Sequence, residues 1–179
     1  FGGRSGFMGR FNGLIEGYFE NKELHHNIKG IGATPEAIGS VPVLYDILFE
    51  LPWHETKPNP EDWMRNYTIS RYGEENVLAQ EAWELLRNSA LNCTTLLQGP
   101  HEAVMCARPS LTVDRVSSWG GTEIFYDSKD VREAAVKLFR ADINASTKLH
   151  EENYSYDLVD LWRQALTDHS YYLLKEIND

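Results

Sequence analysis

The Lys-Pro-Asn-Pro stretch at residues 57–60 constrains the fold most, because it places two prolines close together. A proline disfavours helical backbone in the residue before it, whereas Pro60, after Asn59 and before two acidic residues, is typical of a helix start. The stretch therefore predicts a domain boundary. We predict one unit over residues 1–57 and a second, entirely helical unit over residues 58–179.

The unit before the boundary alternates helical and extended patterns. Apolar residues at helical spacing predict a first helix over residues 7–19, which ends before the polar Asn21. Residues 28–33 are short, apolar and interrupted by glycine, which predicts a brief buried strand. The Thr-Pro-Glu motif at 34–36 combines an N-cap, a helix-starting proline and a first-turn acid. With the apolar face over residues 43–51, the predicted order is helix, strand, loop, helix.

Beyond the boundary the sequence predicts four helices and one long loop. The first helix ends at Gly73, a residue type that commonly follows the last helical turn. The second covers residues 75–91, the third begins with Ser128 as its cap, and the fourth carries Asp157 near its start. Residues 92–127 form a loop that is long for a compact domain, and such loops are usually functional or disordered.

Composition and charge narrow the possible functions. The formal net charge is −10, which argues against a general nucleic-acid binder because phosphate contacts need a basic surface. No apolar run approaches the ~20 residues that span a bilayer, so no membrane partner is expected. Hydrophobic residues make up 42% of the chain, enough for a sizeable core. Four tryptophans at apolar helical positions are predicted to lie in it: Trp53, Trp63, Trp83 and Trp162.

The first residues and the cysteines bear on the origin of the chain. The sequence begins without methionine, in a glycine-rich stretch typical of the middle of a loop, and we expect it to be a fragment. Cys93 and Cys106 match neither a zinc ribbon nor a redox motif, and they can form one bridge or none. Four Asn-x-Ser/Thr sequons, which a eukaryotic secretory route can glycosylate, occur at Asn66, Asn92, Asn144 and Asn153.

Glu36 is the acid best placed for catalysis. It follows the strand-like segment in a glycine-rich loop, and parallel α/β folds carry catalytic groups at the carboxyl ends of their strands. A helix N-terminus lowers the pKa of a carboxyl group, which suits a nucleophile rather than a general acid. The alternative is an exposed first-turn glutamate whose only role is to stabilise the helix macrodipole.

Two loop residues are candidate ligand contacts. His101 follows a Gly-Pro pair in the long loop and is either a site residue or a solvated surface histidine. Trp119 precedes two glycines and either stacks on a sugar ring or anchors the loop against the helices. The adjacent residues His25 and His26 point in different directions and have no third ligand at metal spacing. Neither a metal site nor a cofactor is expected.

Several motifs together resemble the α-N-acetylglucosaminidases of glycoside hydrolase family 89. They follow the family's order from the first residue to about Ser110, and each is weak alone whereas the set is specific. The matching segments are the opening Phe-Gly-Gly with Gly6 and Gly9, residues 30–38, residues 42–48 with Trp53, residues 71–73, Ala82 and Trp83 with Leu86, Asn92 with Cys93, and residues 108–111.

The resemblance implies a mainly α fold, in which the last β/α unit of a TIM-like (β/α)8 barrel, up to about Lys57, is followed by an all-α helical domain. It implies that Glu36 is the catalytic nucleophile and that His101 lines the sugar pocket. Ala37 departs from the family, where glycine is frequent at this position, and adds one methyl group beside the site. In the family the acid/base comes from an earlier barrel strand, which this sequence lacks, so we expect the chain alone to be inactive.

The implied activity is hydrolysis, with retention, of terminal α-linked N-acetylglucosamine on heparan-sulfate-like or other glycans. The implied partners are that glycan and the remainder of the chain's own barrel. The implied location is a secretory-route compartment, namely the bacterial periplasm, the extracellular space or the lysosome. An alternative from a different class is a non-catalytic helical packing or glycan-binding module. An acid partner encoded upstream would distinguish the first reading from the second.

Overall fold

The computed structural model describes residues 6–34, 41–92, 104–108, 110, 112–116, 121–143 and 149–178. These residues form helices α1 (Phe11–Leu24), α2 (Pro42–Glu50), α3 (Pro60–Tyr72), α4 (Val77–Asn88), α5 (Ser128–Ile143) and α6 (Glu151–Asn178), and the short 3-10 turns Leu51–Trp53 and Val104–Cys106. Within this part of the chain there is no strand, and two isolated antiparallel bridges join Arg10 to Asn92 and Arg115 to Gly121. The predicted, mainly helical fold is confirmed.

Helix α3 begins and ends at its capping residues. The Asn59 side chain accepts hydrogen bonds from the backbone amides of Glu61 and Asp62, at 2.9 and 3.1 Å. At the other end, Gly73 has a φ of +86°, and an added Cβ would overlap the ring of His150. A left-handed glycine in this position ends a helix. Both predicted ends of α3 are therefore confirmed.

One hydrophobic core joins the segments on both sides of the proline boundary. Phe7 lies 6.3 Å from Trp83, and Phe11 lies 5.3 Å from Trp63, measured between ring centroids. Trp63 and Trp83 are buried, as predicted, and Trp162 is partly buried against the same core. Because aromatic rings bury large apolar areas, these contacts hold α1 and the residues before it against the helices that follow the boundary.

Two helix bounds differ from the prediction. Helix α1 continues to Leu24 and does not end before Asn21, whose side-chain amide donates to the carbonyl of Gly17 at 2.7 Å, one turn earlier. Helix α5 is capped by Asp127, whose carboxylate accepts from the amide two residues later at 2.9 Å, and not by Ser128. In both cases a short polar side chain bonds to nearby backbone, and the pattern of apolar residues does not reveal which one does so.

Two predictions of burial are wrong. Trp53 is 86% exposed, because the 3-10 turn that contains it buries Leu51 and leaves the indole outside. Residues 28–33 form neither a strand nor a buried segment, and Ile28 is 42% exposed. A parallel strand is held by hydrogen bonds to neighbouring strands and is buried by elements on both faces of its sheet. The described residues provide no such neighbours.

Candidate functional site

Glu36, His101 and Trp119, the three residues predicted to carry chemistry, all lie outside the described residues. Their roles stay predictions. The structure describes the immediate surroundings of the Glu36 loop: Val41, helix α2 and the glycine-containing segment 6–9. The candidate site is built from these.

The chain leaves the Glu36 loop through a strained corner. Val41, the first described residue after that loop, has φ 54° and ψ 61°, which is the left-handed conformation. This conformation is rare for β-branched residues and costs about 1–3 kcal/mol. The Val41 side chain is only 3% exposed, so its burial in the core holds the corner in place. Backbone strain of this kind is concentrated at functional sites.

The segment 6–9 lies between the first turn of α2 and the end of α4. Gly9 lies so close to α2 that an added Cβ would overlap the side chain of Leu44. On its other side, the Gly9 amide donates to the carbonyl of Ala90 at 2.9 Å. The position of the first turn of α2, and with it the exit of the Glu36 loop, therefore depends on this segment.

A buried polar cluster holds the same segment from α6. The Phe7 amide donates to Oε1 of Gln164 at 2.7 Å. Nε2 of Gln164 donates to Oδ1 of Asp168 at 2.8 Å and to Oη of Tyr126 at 3.0 Å. The Tyr126 hydroxyl donates to the Asp168 carboxylate. Gln164 and Asp168 are each 1% exposed, so these bonds form where little water competes. Gln164, Asp168 and Tyr126 are referred to below as the Gln164 cluster.

Burial raises the pKa of Asp168 to about 6, although the hydrogen bonds from Gln164 and Tyr126 favour its ionised form. An acid with a higher pKa in the folded state binds its proton more tightly there than in the unfolded chain. Asp168 therefore costs the protein stability as the pH rises from 3.8 to about 6, and the loss persists at higher pH.

Asp168→Asn is expected to remove this pH-dependent loss, because the amide keeps an acceptor for Gln164 and is neutral at every pH. The variant's free energy of unfolding, relative to wild type, should be larger at pH 7.5 than at pH 4 by on the order of 2–3 kcal/mol. Urea unfolding of the full-length gene product at both pH values measures this difference. An equal difference between variant and wild type at the two pH values would contradict the assignment.

A second buried polar cluster joins α3, α4 and α6. Nη2 of Arg71 donates to Oδ1 of Asp157 at 2.8 Å, and the Tyr72 hydroxyl donates to Oδ2 at 2.8 Å. Tyr72 accepts from Nε1 of Trp83 at 2.9 Å. Burial raises the pKa of Asp157, and the bonds from Arg71 and Tyr72 oppose that rise. Burial also acts against the charge of Arg71, but its pKa is raised because the hydrogen bond to Asp157 outweighs burial.

Sequence reasoning missed both clusters, although α6 carries a signal for one of them. Leu161, Gln164, Ala165 and Asp168 recur at the spacing of one helix face, and all four are buried. Two polar residues at core-facing positions must find partners, so they indicate a buried hydrogen-bond network. Asp157 was expected near the start of its helix, but α6 begins at Glu151 and places Asp157 further inside.

The described residues offer no metal centre. A groove of about 720 Å³ between α2 and α3 carries the carboxylates of Asp46, Glu50 and Asp62. Nowhere in the described ranges, however, do three His, Cys, Asp or Glu side chains form a group that could hold a metal ion. Cys106 is exposed and free, and Cys93 lies outside these ranges. The same ranges contain no helix that is both long and apolar enough to cross a membrane.

Two family models match the chain. Residues 63–179 match the model described as the alpha-N-acetylglucosaminidase (NAGLU) C-terminal domain. Residues 1–55 match the model described as the alpha-N-acetylglucosaminidase (NAGLU) tim-barrel domain. No curated protein matches the chain.

Solved structures of a family 89 glycoside hydrolase from Clostridium perfringens have a similar fold. The complex with PUGNAc is 27% identical, with a TM-score of 0.87, and the match covers 98% of this chain and 20% of that one. A doubly substituted form in complex with its substrate GlcNAc-α-1,4-galactose is 26% identical, with a TM-score of 0.86 and the same coverage of both chains. The complex with 2-acetamido-1,2-dideoxynojirmycin is 28% identical, with a TM-score of 0.83, and the match covers 96% and 20%. The chain thus spans about a fifth of the length of these relatives.

Proposed function

We propose, because this chain belongs to the alpha-N-acetylglucosaminidase family, that it forms part of a retaining exo-glycosidase that removes terminal α-linked N-acetylglucosamine from glycans. One observation carries the proposal. Glu36 stands in the family motif at residues 30–38, inside the segment that matches the barrel model, and a strained corner at Val41 follows it closely. The ligands of the solved relatives, which include GlcNAc-α-1,4-galactose, support the substrate class.

In the proposed reaction, Glu36 attacks the anomeric carbon while a second carboxyl group protonates the departing glycosidic oxygen. Retaining enzymes hold two such groups about 5–5.5 Å apart. The second group comes from another strand of the barrel, outside this sequence. That group then activates the water that hydrolyses the glycosyl-enzyme. His101 and Trp119 contact the sugar in this proposal, and the described residues position the loop that carries Glu36.

We further propose the division at residues 57–58 into the end of the barrel and the start of the helical domain. The remainder of the barrel is then a partner of this chain. It would place neighbouring strands beside residues 28–33, whose present exposure follows from the lack of such neighbours among the described residues. The proposed location is a secretory-route compartment, and cell fractionation tests it.

The test of function is turnover of an aryl α-N-acetylglucosaminide with a poor leaving group by the full-length gene product. We expect robust turnover, whereas the 179-residue chain alone should give none, since it lacks the acid/base. Glycan binding by the full-length gene product without any hydrolysis would contradict the proposal and favour a non-catalytic binding module.

A further inference from the structure

We propose that Gln164 is a positioning residue, which fixes the backbone of segment 6–9 from α6 and thereby sets the first turn of α2 and the exit of the Glu36 loop. The inference rests on the proposed function, in which Glu36 is the nucleophile. It assigns a catalytic consequence to a residue of the helical part of the chain, far from Glu36 in sequence.

The inference follows from an unbroken series of contacts. Gln164 accepts the Phe7 amide proton at 2.7 Å. Two residues later, Gly9 lies directly against Leu44 in the first turn of α2. The Gly9 amide is held from the opposite side by the carbonyl of Ala90, so the segment is fixed from α4 as well as from α6. A shift of the Phe7 backbone would therefore move Gly9, and there is no free space between Gly9 and α2 to absorb the movement.

The chemistry of position 164 requires an amide. Its oxygen accepts from the Phe7 amide, while its nitrogen donates to both Asp168 and Tyr126. An apolar side chain would leave a buried backbone amide and a buried carboxylate without partners. A carboxylate would keep the acceptor for Phe7 but would place a second acid within hydrogen-bond distance of Asp168. The two requirements can thus be separated by mutation.

The charges around Asp168 come from three elements. On α6, Arg163 favours its ionised form. Segment 6–9 contributes no titratable group. The neighbouring cavity, between α6 and the start of α5, is lined by further charged or titratable side chains, namely Asp127, Lys129, Arg132, His169 and Tyr172. None of these is altered in the experiment below, so a change in pH dependence reports on positions 164 and 168.

The decisive variant is Gln164→Glu in the full-length gene product, with Gln164→Leu beside it. Two carboxyl groups in contact hold one proton between them until a raised apparent pKa is passed. At acidic pH, Gln164→Glu should therefore keep kcat within about threefold of wild type. Above that pKa the carboxylates repel, and the alkaline limb of its kcat profile should move down by about one pH unit or more. Gln164→Leu should lower kcat about tenfold at every pH, without shifting the limb.

The matched control is Gln80→Glu on α4, which adds the same charge away from segment 6–9 and should keep the wild-type pH profile. A merely structural role for Gln164 would lower the unfolding temperature of Gln164→Glu but leave its kcat profile in the wild-type position. That result, with an active wild type, would overturn the inference.

Hydrogen exchange at the Phe7 amide keeps the test independent of the proposed function. If the wild type does not hydrolyse the glycoside, the proposed function fails, and the exchange rate still reports on the contact between α6 and segment 6–9. Gln164→Leu should accelerate exchange at Phe7 at least about tenfold, because the amide loses its acceptor, whereas Gln80→Glu should not. Unchanged exchange in Gln164→Leu would overturn the inference whatever the activity.

Discussion

Replacing Glu36 by glutamine in the full-length gene product is expected to lower kcat by on the order of 10⁴-fold or more, which is the scale seen when other covalent enzymes lose their nucleophile. The amide has the shape of the carboxylate but cannot attack the anomeric carbon. Stability should change little, since a first-turn acid contributes only ~0.3–1 kcal/mol through the macrodipole. Turnover of an aryl α-N-acetylglucosaminide and thermal unfolding, measured on the same preparation, check both expectations.

The control for this substitution is Glu50→Gln at the end of α2, where the exposed carboxylate contacts only the His54 ring in the same segment. It removes one negative charge from the same helix and should leave kcat close to wild type. A Glu36→Gln variant that retains near-normal kcat would remove Glu36 from the mechanism. A large loss of stability would indicate instead that the carboxylate has a structural role.

Arg71→Met should produce the largest loss of stability of any substitution proposed for this protein, about 3–5 kcal/mol. The side chains of Arg71 and Asp157 are 13% and 4% exposed, so the variant leaves a carboxylate buried without its cation. Methionine fills much of the volume of the arginine stem, so the loss reflects the charge rather than a cavity. Urea unfolding of the full-length gene product measures the change.

Arg65→Met provides the comparison on the same helix. Arg65 pairs with Glu75 at 3.1 Å, but both side chains are more than half exposed, at 57% and 58%. Pairs of this kind contribute 0–1 kcal/mol at most, because water screens them. Equal losses of stability for the two variants would show that the buried position of the Arg71 pair does not determine its energetic weight.

The helix ends that could be predicted are those fixed by local chemistry. Asn59 caps α3 through bonds to amides two and three residues later, and Gly73 ends it through its own backbone conformation. Each interaction involves residues close in sequence, so the motif contains the whole cause. Where two candidate caps adjoin, as at Asp127 and Ser128, composition does not decide between them.

Burial could be predicted only where the helix pattern is the whole cause. Trp53 lies beyond the regular part of α2 and points outward from a 3-10 turn, which apolar spacing cannot reveal. The Arg71 and Asp157 pair spans 86 residues of sequence, and the bond between Phe7 and Gln164 spans 157. Such partners meet only through the tertiary fold, so neither cluster could be derived from periodicity.

The family and the candidate nucleophile were accessible for a different reason. The order of several short motifs resembles that of the α-N-acetylglucosaminidases, and the two family models confirm that resemblance over residues 1–55 and 63–179. Glu36 is named by its place in such a motif, and its role stays a prediction. What the structure adds is the strained corner at Val41 and the contacts from α4 and α6 that hold the loop's surroundings.

The most direct test of the central claim is to locate the covalent glycosyl-enzyme. The full-length gene product would be incubated with an activated N-acetylglucosaminyl fluoride whose turnover is slowed by a second fluorine on the ring, then digested for mass spectrometry. The account predicts a stoichiometric N-acetylglucosaminyl adduct on the peptide that contains Glu36, with fragmentation placing it on that side chain. An adduct on a different residue, or continued turnover with no adduct, would contradict it.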